Sequence, residues 1–321
     1  MTTRRQWLQG IGAAVGSLGL APIGVRAAAQ DRPSASALIE RAIPKTGERL
    51  PIIGLGSSAT FAQVASREDV SALREVLARM VELGGRVFDT APGYGASEET
   101  AGRIAQELGL ASRLFWATKL NVAPWGGGTA DPAAARRQID ASFARIGRSV
   151  IDLIQIHNMG DPRTQLPLLR AVKDEGRVRY IGATTTFAQQ YEALLQTMRS
   201  EPLDFIGTNY AIDDRDAERT ILPLAQERGI AVLVYAPFGR TRLWRRVAGR
   251  SVPDWAREFD AYSWAQFFLK FAASHPAVTA VTPATSRAEN MADNMGAARG
   301  RLPDAAMRRR MIELVDSLPG A

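Results

Sequence analysis

The stretch Arg86–Gly95, RVFDTAPGYG, begins as an apolar strand pattern and ends in a turn that is rich in glycine and proline. Asp89 lies at the junction of strand and turn, and Tyr94 follows within the turn. An aspartate at this point is by itself an ordinary strand stop. A carboxylate and a phenol held together at the end of a buried strand can also belong to an active site. The rest of the chain decides between these two interpretations.

Apolar runs that end in polar residues recur along the chain. They are IIGLGSS (52–58), RVFDT (86–90), LFWATKL (114–120), DLIQIH (152–157), VRYIGAT (178–184), DFIGTNY (204–210), AVLVYAPF (231–238) and AVTAVTPAT (277–285). Continuous rather than alternating apolar runs are typical of strands in parallel sheets, which are covered on both faces. Helical patterns with ordinary start and stop signals separate them, such as DPAAARRQIDASFARIG.

Eight strand–helix units in sequence predict a single (β/α)8 TIM barrel of the α/β class. A doubly wound open sheet is the main alternative. The segment AIPKTGERLP (42–51) reads as a hairpin before the first barrel strand, where it could cover the bottom of the barrel.

The composition excludes several kinds of site. The chain has no cysteine, so disulfides, thiolate chemistry and cysteine-ligated metals are excluded. It has only two histidines, His157 and His275, which argues against a histidine-rich metal site, and we expect no metal. The net charge of +7 comes without a basic stripe or a nucleic-acid-binding motif, so we expect no nucleic-acid partner. His275 is interpreted as a structural loop residue.

Residues 1–29 have the pattern of a signal peptide. Arg4 and Arg5 form a charged start, a weakly apolar segment rich in glycine and alanine follows, and small residues near Ala27 offer a cleavage site. The paired arginines, followed by Trp7 and a glycine-rich stretch, resemble the twin-arginine export signal. A membrane anchor or a frayed N-terminus is the alternative interpretation.

The leader predicts export to the periplasm by the twin-arginine machinery, with no stable membrane insertion after cleavage. The protein would stay cytoplasmic if the leader were not functional. We expect a linker at residues 30–37 and the barrel domain at 38–321. After the leader, no apolar run of about twenty residues occurs that could span a membrane.

Polar residues at the strand ends suggest a catalytic site. Asp89, Lys119 and His157 end three successive predicted strands, and Tyr94 follows the first of them closely. In a parallel barrel the carboxyl ends of the strands meet at one mouth, so these four side chains should converge. A tyrosine keeps its proton at neutral pH, and a neighbouring ammonium stabilises the phenolate that proton transfer leaves behind. The arrangement predicts a proton donor aimed at a carbonyl oxygen.

The other strand ends carry signals for a cofactor. Tyr235 in VYAPFG could offer an aromatic face to a nicotinamide ring. In PATSRAENMADN (283–294), backbone N–H groups at a helix start can bind phosphate, with Arg287 adding charge. Ser286 with Glu289 could instead form only a capping box. No G-x-G-x-x-G follows a strand, so a Rossmann-type site is not predicted.

These motifs resemble the aldo-keto reductase family, over nearly all of the chain after the leader. FDTAPGYG, ATK, IDLIQIH and VYAPFG carry the resemblance. It implies a (β/α)8 barrel that reduces a small carbonyl substrate with NADPH, less often NADH, and without metal. It also implies a catalytic tetrad of Asp89, Tyr94, Lys119 and His157, in which Tyr94 is the general acid and His157 positions the carbonyl.

The same resemblance implies the ligand-binding residues. Tyr235 would stack on the nicotinamide, Ala284 to Arg287 would hold the 2′-phosphate, and Asp293 with Asn294 would hold the adenine. The implied cofactor-binding set is Ser57, Ser58, Asp89, Thr184, Thr185, Tyr235, Ala236, Pro237, Phe238, Gly239, Ala284, Thr285, Ser286, Arg287, Asn290, Asp293 and Asn294. Tyr94, His157 and Trp125 are expected to contact the substrate.

Two departures from the family pattern fall at the nicotinamide end. Thr184-Thr185 stand where the family commonly has Ser-Asn, and Gly207 stands where it commonly has Gln. They leave open an alternative function, a nicotinamide-binding accessory or regulatory barrel with little turnover. A barrel enzyme of different chemistry is a further alternative. The loop at 239–255 is long and basic and could close over the cofactor pyrophosphate.

Overall fold

A computed structural model of the chain describes residues 37–124 and 127–319. The predicted signal peptide, residues 30–36 of the predicted linker, and Trp125 lie outside the described residues. None of the described helices has the length and apolar composition needed to span a membrane.

Eight parallel strands form one sheet in which each strand pairs with its neighbour in sequence. Parallel bridges from Ile53 to Val281 and from Gly56 to Ala284 join the first and last of these strands. The sheet is therefore a closed barrel, which confirms the predicted (β/α)8 fold and excludes the open sheet. The barrel strands are β3 (Leu55–Gly56), β4 (Val87–Asp89), β5 (Phe115–Leu120), β6 (Ile151–Ile156), β7 (Val178–Thr185), β8 (Phe205–Asn209), β9 (Ala231–Tyr235) and β10 (Ala280–Val281).

Helices connect the strands and pack around the barrel, and two more helices follow the last strand. Asp131 caps the fourth of them as its Asp-Pro start predicts, accepting hydrogen bonds from the backbone of Ala133 and Ala134. The helices are α1 (Thr60–Ala65), α2 (Ser71–Glu82), α3 (Ser97–Glu107), α4 (Pro132–Ile146), α5 (Pro162–Asp174), α6 (Tyr191–Ser200), α7 (Ile221–Glu227), α8 (Arg242–Arg246), α9 (Trp264–Ser274), α10 (Ala288–Gly296) and α11 (Ala305–Ser317).

Strand alternation separates the core into two layers. Because successive residues of a strand point to opposite faces, every second side chain enters the barrel. On β5, Phe115 packs inside the barrel, and Trp116 packs outside it against the helices. Asp89, Lys119 and Tyr235 each follow an inward residue by two or four positions, so the alternation directs them into the barrel.

A hairpin closes the amino-terminal end of the barrel. Strand β1 (Glu40–Ala42) pairs antiparallel with β2 (Arg49–Pro51), as the sequence predicts. Ile43 and Leu50 are fully buried in the same cluster as the inward residues Phe115 and Phe205. The open mouth therefore lies at the opposite end, where the strands end.

The hairpin should contribute directly to stability. Leu50→Ala removes buried methyl groups and leaves a cavity in the barrel floor, so we expect the free energy of unfolding to fall by about 2–5 kcal/mol. Urea denaturation followed by circular dichroism measures this change. Leu50→Met, which keeps the volume, should cost less than about 1.5 kcal/mol. Equal stability of Leu50→Ala and the parent protein would show that the hairpin is not part of the core.

Candidate active site

The centre of the site is an ion pair between neighbouring strands. The Nζ atom of Lys119 on β5 donates to Oδ1 of Asp89 on β4 at 2.6 Å and to the Thr90 carbonyl at 2.8 Å. Both side chains are almost completely buried, with 1% of Lys119 and 4% of Asp89 exposed. The parallel register pairs Asp89 with Ala117, two residues before Lys119, so the two inward side chains meet.

Burial and attraction act against each other in this pair. Burial raises the pKa of Asp89, and the Lys119 ammonium opposes that shift. Burial alone would favour the neutral amine of Lys119, but the attraction of Asp89, helped by Tyr94, outweighs it and the pKa of Lys119 lies above its usual value. The short distance from Nζ to Oδ1, 2.6 Å, is that of an ammonium paired with a carboxylate.

Tyr94 and His157 stand over this pair. The Nζ atom of Lys119 lies 5.1 Å from the centroid of the Tyr94 ring. The rings of Tyr94 and His157 meet edge to face, with their centroids 5.7 Å apart. Burial and the charge of Lys119 lower the pKa of His157 to about 3, so its imidazole is neutral at physiological pH. The structure thus brings together all four residues that the sequence predicts to be catalytic.

A cavity of about 1020 Å³ extends from these four residues to the start of α10. Most residues expected to bind the cofactor lie on its wall. They are Ser58, Asp89, Thr184, Tyr235, Ala236, Pro237, Phe238, Ala284, Thr285, Ser286, Arg287, Asn290, Asp293 and Asn294.

Three residues of the expected cofactor set are not on the cavity wall. Thr185 points out of the barrel because its neighbour Thr184 points in, and its hydroxyl bonds locally to the side chain of Gln190 at 2.5 Å. Ser57 is fully buried, and its Oγ atom has no partner within the described part of the chain. Gly239 instead packs in a tight turn with positive φ, against the carboxylate of Asp213.

The start of α10 is suited to an anion. The helix begins at Ala288, and the residue before it, Arg287, makes no side-chain capping bond. The possible capping box is not formed, because the N-cap is Arg287 rather than Ser286. Glu289 pairs with Arg287 at 3.5 Å. Uncapped N–H groups at a helix start favour phosphate. The donors present at this end of the cavity therefore fit a phosphate-bearing dinucleotide.

The end of the cavity beside α10 carries a small polar cluster around Asp293. Ser263 Oγ donates to one carboxylate oxygen of Asp293 at 2.7 Å, and Gln266 Nε2 donates to the other at 2.8 Å. Ser263 is the N-cap of α9, and Trp264, the first residue of that helix, also lines the cavity. The carboxylate of Asp293 is thus held in one orientation at the wall.

Several wall residues were missed from the sequence. Arg240 and Trp244 come from the loop at 239–255, and the basic composition of that loop was the only sign that it lies near a ligand. Arg240 donates to Thr186 Oγ1 at 3.3 Å. Asn158 and Phe187 follow two strand ends and carry no motif. Their positions depend on loop conformations that a strand pattern does not specify.

Comparison with known proteins identifies the family. The family model described as "Aldo/keto reductase family" matches residues 52–311. The chain is 29% identical to the aldo-keto reductase str7 of Strobilurus tenacellus, over 59% of this chain and 56% of that protein. It is 30% identical to an Escherichia coli K12 protein named NADH-specific methylglyoxal reductase, over 54% of this chain and 59% of that one. The matches thus span 56% and 59% of the length of these two curated relatives.

A solved structure supports the fold. The aldo-keto reductase from Klebsiella pneumoniae in complex with NADPH aligns with a TM-score of 0.70 and 22% identity, covering 87% of this chain and 96% of that one. The family model covers most of the barrel and includes all four residues around the ion pair. The chain belongs to the aldo/keto reductase family.

Proposed function

We propose that this protein reduces an aldehyde or ketone to an alcohol with NADPH, and that Tyr94 is the general acid. The observation that carries the proposal is the buried pair of Lys119 and Asp89, 2.6 Å apart, beside Tyr94 at the base of the cavity. The Klebsiella relative described above was solved with NADPH, which supports NADP(H) as the cofactor. NADH stays an alternative, since one relative is named NADH-specific.

Each side chain has a separate task in this reaction. The chemistry that NADPH supplies when bound is transfer of a hydride to the carbonyl carbon. Tyr94 gives its proton to the carbonyl oxygen, and the Lys119 ammonium, 5.1 Å from the ring, stabilises the phenolate. Asp89 keeps Lys119 charged and in place. His157, being neutral, orients the carbonyl by a hydrogen bond without adding charge.

The cavity contains a second phenol, and the geometry distinguishes the two. The Tyr235 ring is also 5.1 Å from the Lys119 Nζ atom. Its hydroxyl, however, donates to Asp89 Oδ2 at 3.1 Å and accepts from Gln155 Nε2 at 2.9 Å. Burial and the Asp89 charge raise the pKa of Tyr235 well above its usual value. The Tyr235 hydroxyl already donates to Asp89, which leaves Tyr94 as the proton donor in this mechanism.

The accessory-barrel alternative has two observations in its favour. Thr185, expected to contact the nicotinamide, faces away from the cavity, and Gly207 offers no side chain there. A barrel of this kind would bind NADPH with little turnover. Measurement of binding and turnover in the same protein separates the two functions.

The leader adds a proposal on location. We propose that residues 1–29 direct export through the twin-arginine machinery to the periplasm, followed by a linker at 30–37 and the barrel domain at 38–321. The support is the paired arginines, the weakly apolar segment and the small residues near Ala27. A protein exported in folded form could carry its cofactor with it.

Tyr94→Phe should separate binding from chemistry. We expect kcat for a panel of small aldehydes to fall at least about 100-fold, because the proton donor is removed. The Kd for NADPH should stay within about twofold, since the ring remains. Loss of NADPH absorbance and a fluorescence titration give the two values. Tyr180→Phe, at the closed end of the barrel, is the control. Tight NADPH binding with no Tyr94-dependent turnover would favour the accessory barrel.

The neutral state of His157 can be observed directly. The chain has two histidines, so two Hε1 resonances are expected in an NMR titration. The signal of His157, assigned by its loss in His157→Gln, should not move between about pH 5 and pH 8, because its pKa is about 3. A midpoint near 6.5, the value of an ordinary exposed histidine, would contradict a buried neutral imidazole.

The export proposal depends on the arginine pair. In the Arg4→Lys/Arg5→Lys double variant, we expect the periplasmic fraction of the protein to be lost, because the twin-arginine signal is read as a pair. Cell fractionation with immunoblotting measures it. Arg26→Lys, which changes an arginine of the same leader outside the pair, is the matched control. Undiminished periplasmic delivery of the double variant would exclude this route.

A further inference from the structure

We infer that Tyr235 is a positioning residue that fixes the Asp89 carboxylate through its hydroxyl group, and that Gly207 makes the space for it. This inference rests on the proposed function and deepens it, because it assigns to the Tyr235 hydroxyl a role that is separate from that of its ring. The ring of Tyr235 lines the cavity, whereas its hydroxyl reaches the buried ion pair.

The hydrogen bonds form a chain across the barrel. Gln155 Nε2 on β6 donates to the Tyr235 hydroxyl at 2.9 Å, and that hydroxyl donates to Asp89 Oδ2 at 3.1 Å. The other oxygen of Asp89 accepts from Lys119 at 2.6 Å. Donors from β5 and β9 therefore hold the two carboxylate oxygens, and together they fix both the position and the plane of the carboxylate.

Two inward-facing glycines leave space for these hydrogen-bonded side chains. A Cβ atom at Gly207 would lie 2.7 Å from both Cζ and the hydroxyl oxygen of Tyr235. A Cβ atom at Gly182 would meet the backbone carbonyl oxygen of Phe205 first and would lie 3.1 Å from Cγ of Gln155. Any side chain at position 207 would displace the Tyr235 ring. The glycine that departs from the family pattern is thus a steric requirement of this arrangement.

The charges around Asp89 decide what loss of the hydroxyl would do. Lys119 from β5 and Tyr235 from β9 contact the carboxylate. Tyr94 from the loop after β4 lies beside Lys119, and neutral His157 lies next to Tyr94. The bond from Tyr235 favours the ionised form of Asp89, so its removal raises the pKa of that carboxyl. Asp89 would then take up a proton at a higher pH, and its hold on the Lys119 ammonium would be lost there.

Tyr235→Phe tests this role because it keeps the ring and removes only the hydroxyl. We expect the acidic limb of the kcat profile to move upward by about one pH unit, the scale of one lost charge-assisted hydrogen bond. At the lower end of the working pH range, kcat should fall about tenfold. The Kd for NADPH should stay within about twofold. Gly207→Ala should move the limb in the same direction, since its Cβ displaces the ring.

Tyr180→Phe is the matched control. Tyr180 is another inward-facing tyrosine, and its hydroxyl donates to Glu48 at 2.8 Å at the closed end of the barrel. Its removal should leave the pH profile unchanged. An unshifted limb in Tyr235→Phe, or a large loss of NADPH affinity in that variant, would overturn the inference. A parent-like limb in Gly207→Ala would overturn the part that concerns Gly207.

A measurement without turnover separates failure of this inference from failure of the proposed function. If the parent protein shows no NADPH-dependent reduction, the proposed function fails. The Asp89 carboxyl can then be followed by ¹³C NMR in aspartate-labelled protein, with the signal assigned by Asp89→Asn. A higher titration midpoint in Tyr235→Phe than in the parent supports the positioning role. Equal midpoints in the two proteins overturn it.

Discussion

The constraint on which this site depends is that a buried charge must have a partner. Lys119 and Asp89 are almost fully removed from water, and either one alone would destabilise the fold by about 3–5 kcal/mol. Together they place a fixed ammonium beneath Tyr94. The same charge, added to burial, keeps His157 neutral. This ion pair between two adjacent parallel strands therefore favours the neutral form of His157 and places a positive charge beside Tyr94.

Much of this arrangement could be predicted from the sequence. Eight apolar runs ending in polar residues indicate a parallel barrel, and the rule that such strand ends meet at one mouth brings Asp89, Lys119 and His157 together. The strand pattern does not specify which way a side chain at a strand end points, or how a loop folds. Thr185 faces out of the barrel and bonds to Gln190, and the position of Phe187 depends on a loop conformation.

The role of Tyr235 shows why the rest of the site could not be predicted from the sequence. The sequence marks it as an aromatic residue at a strand end, which suits the wall of a cofactor site. Its bond to Asp89 crosses the barrel, and Gly207 leaves the room that its ring needs. A sequence motif does not show what a glycine leaves room for. That becomes visible only when strands distant in sequence face each other in the barrel.

In the proposed mechanism, the hairpin at the barrel floor also limits how Tyr94 regains its proton. Ile43 and Leu50 join the apolar layer of Phe115 and Phe205, which separates the ion pair from this end of the barrel. On the proposed mechanism, each reduction leaves Tyr94 without its proton. The replacement must enter through the same mouth that the substrate uses. The alcohol therefore leaves, and the proton returns to Tyr94, through the same opening. Slow release of the alcohol also delays reprotonation of Tyr94.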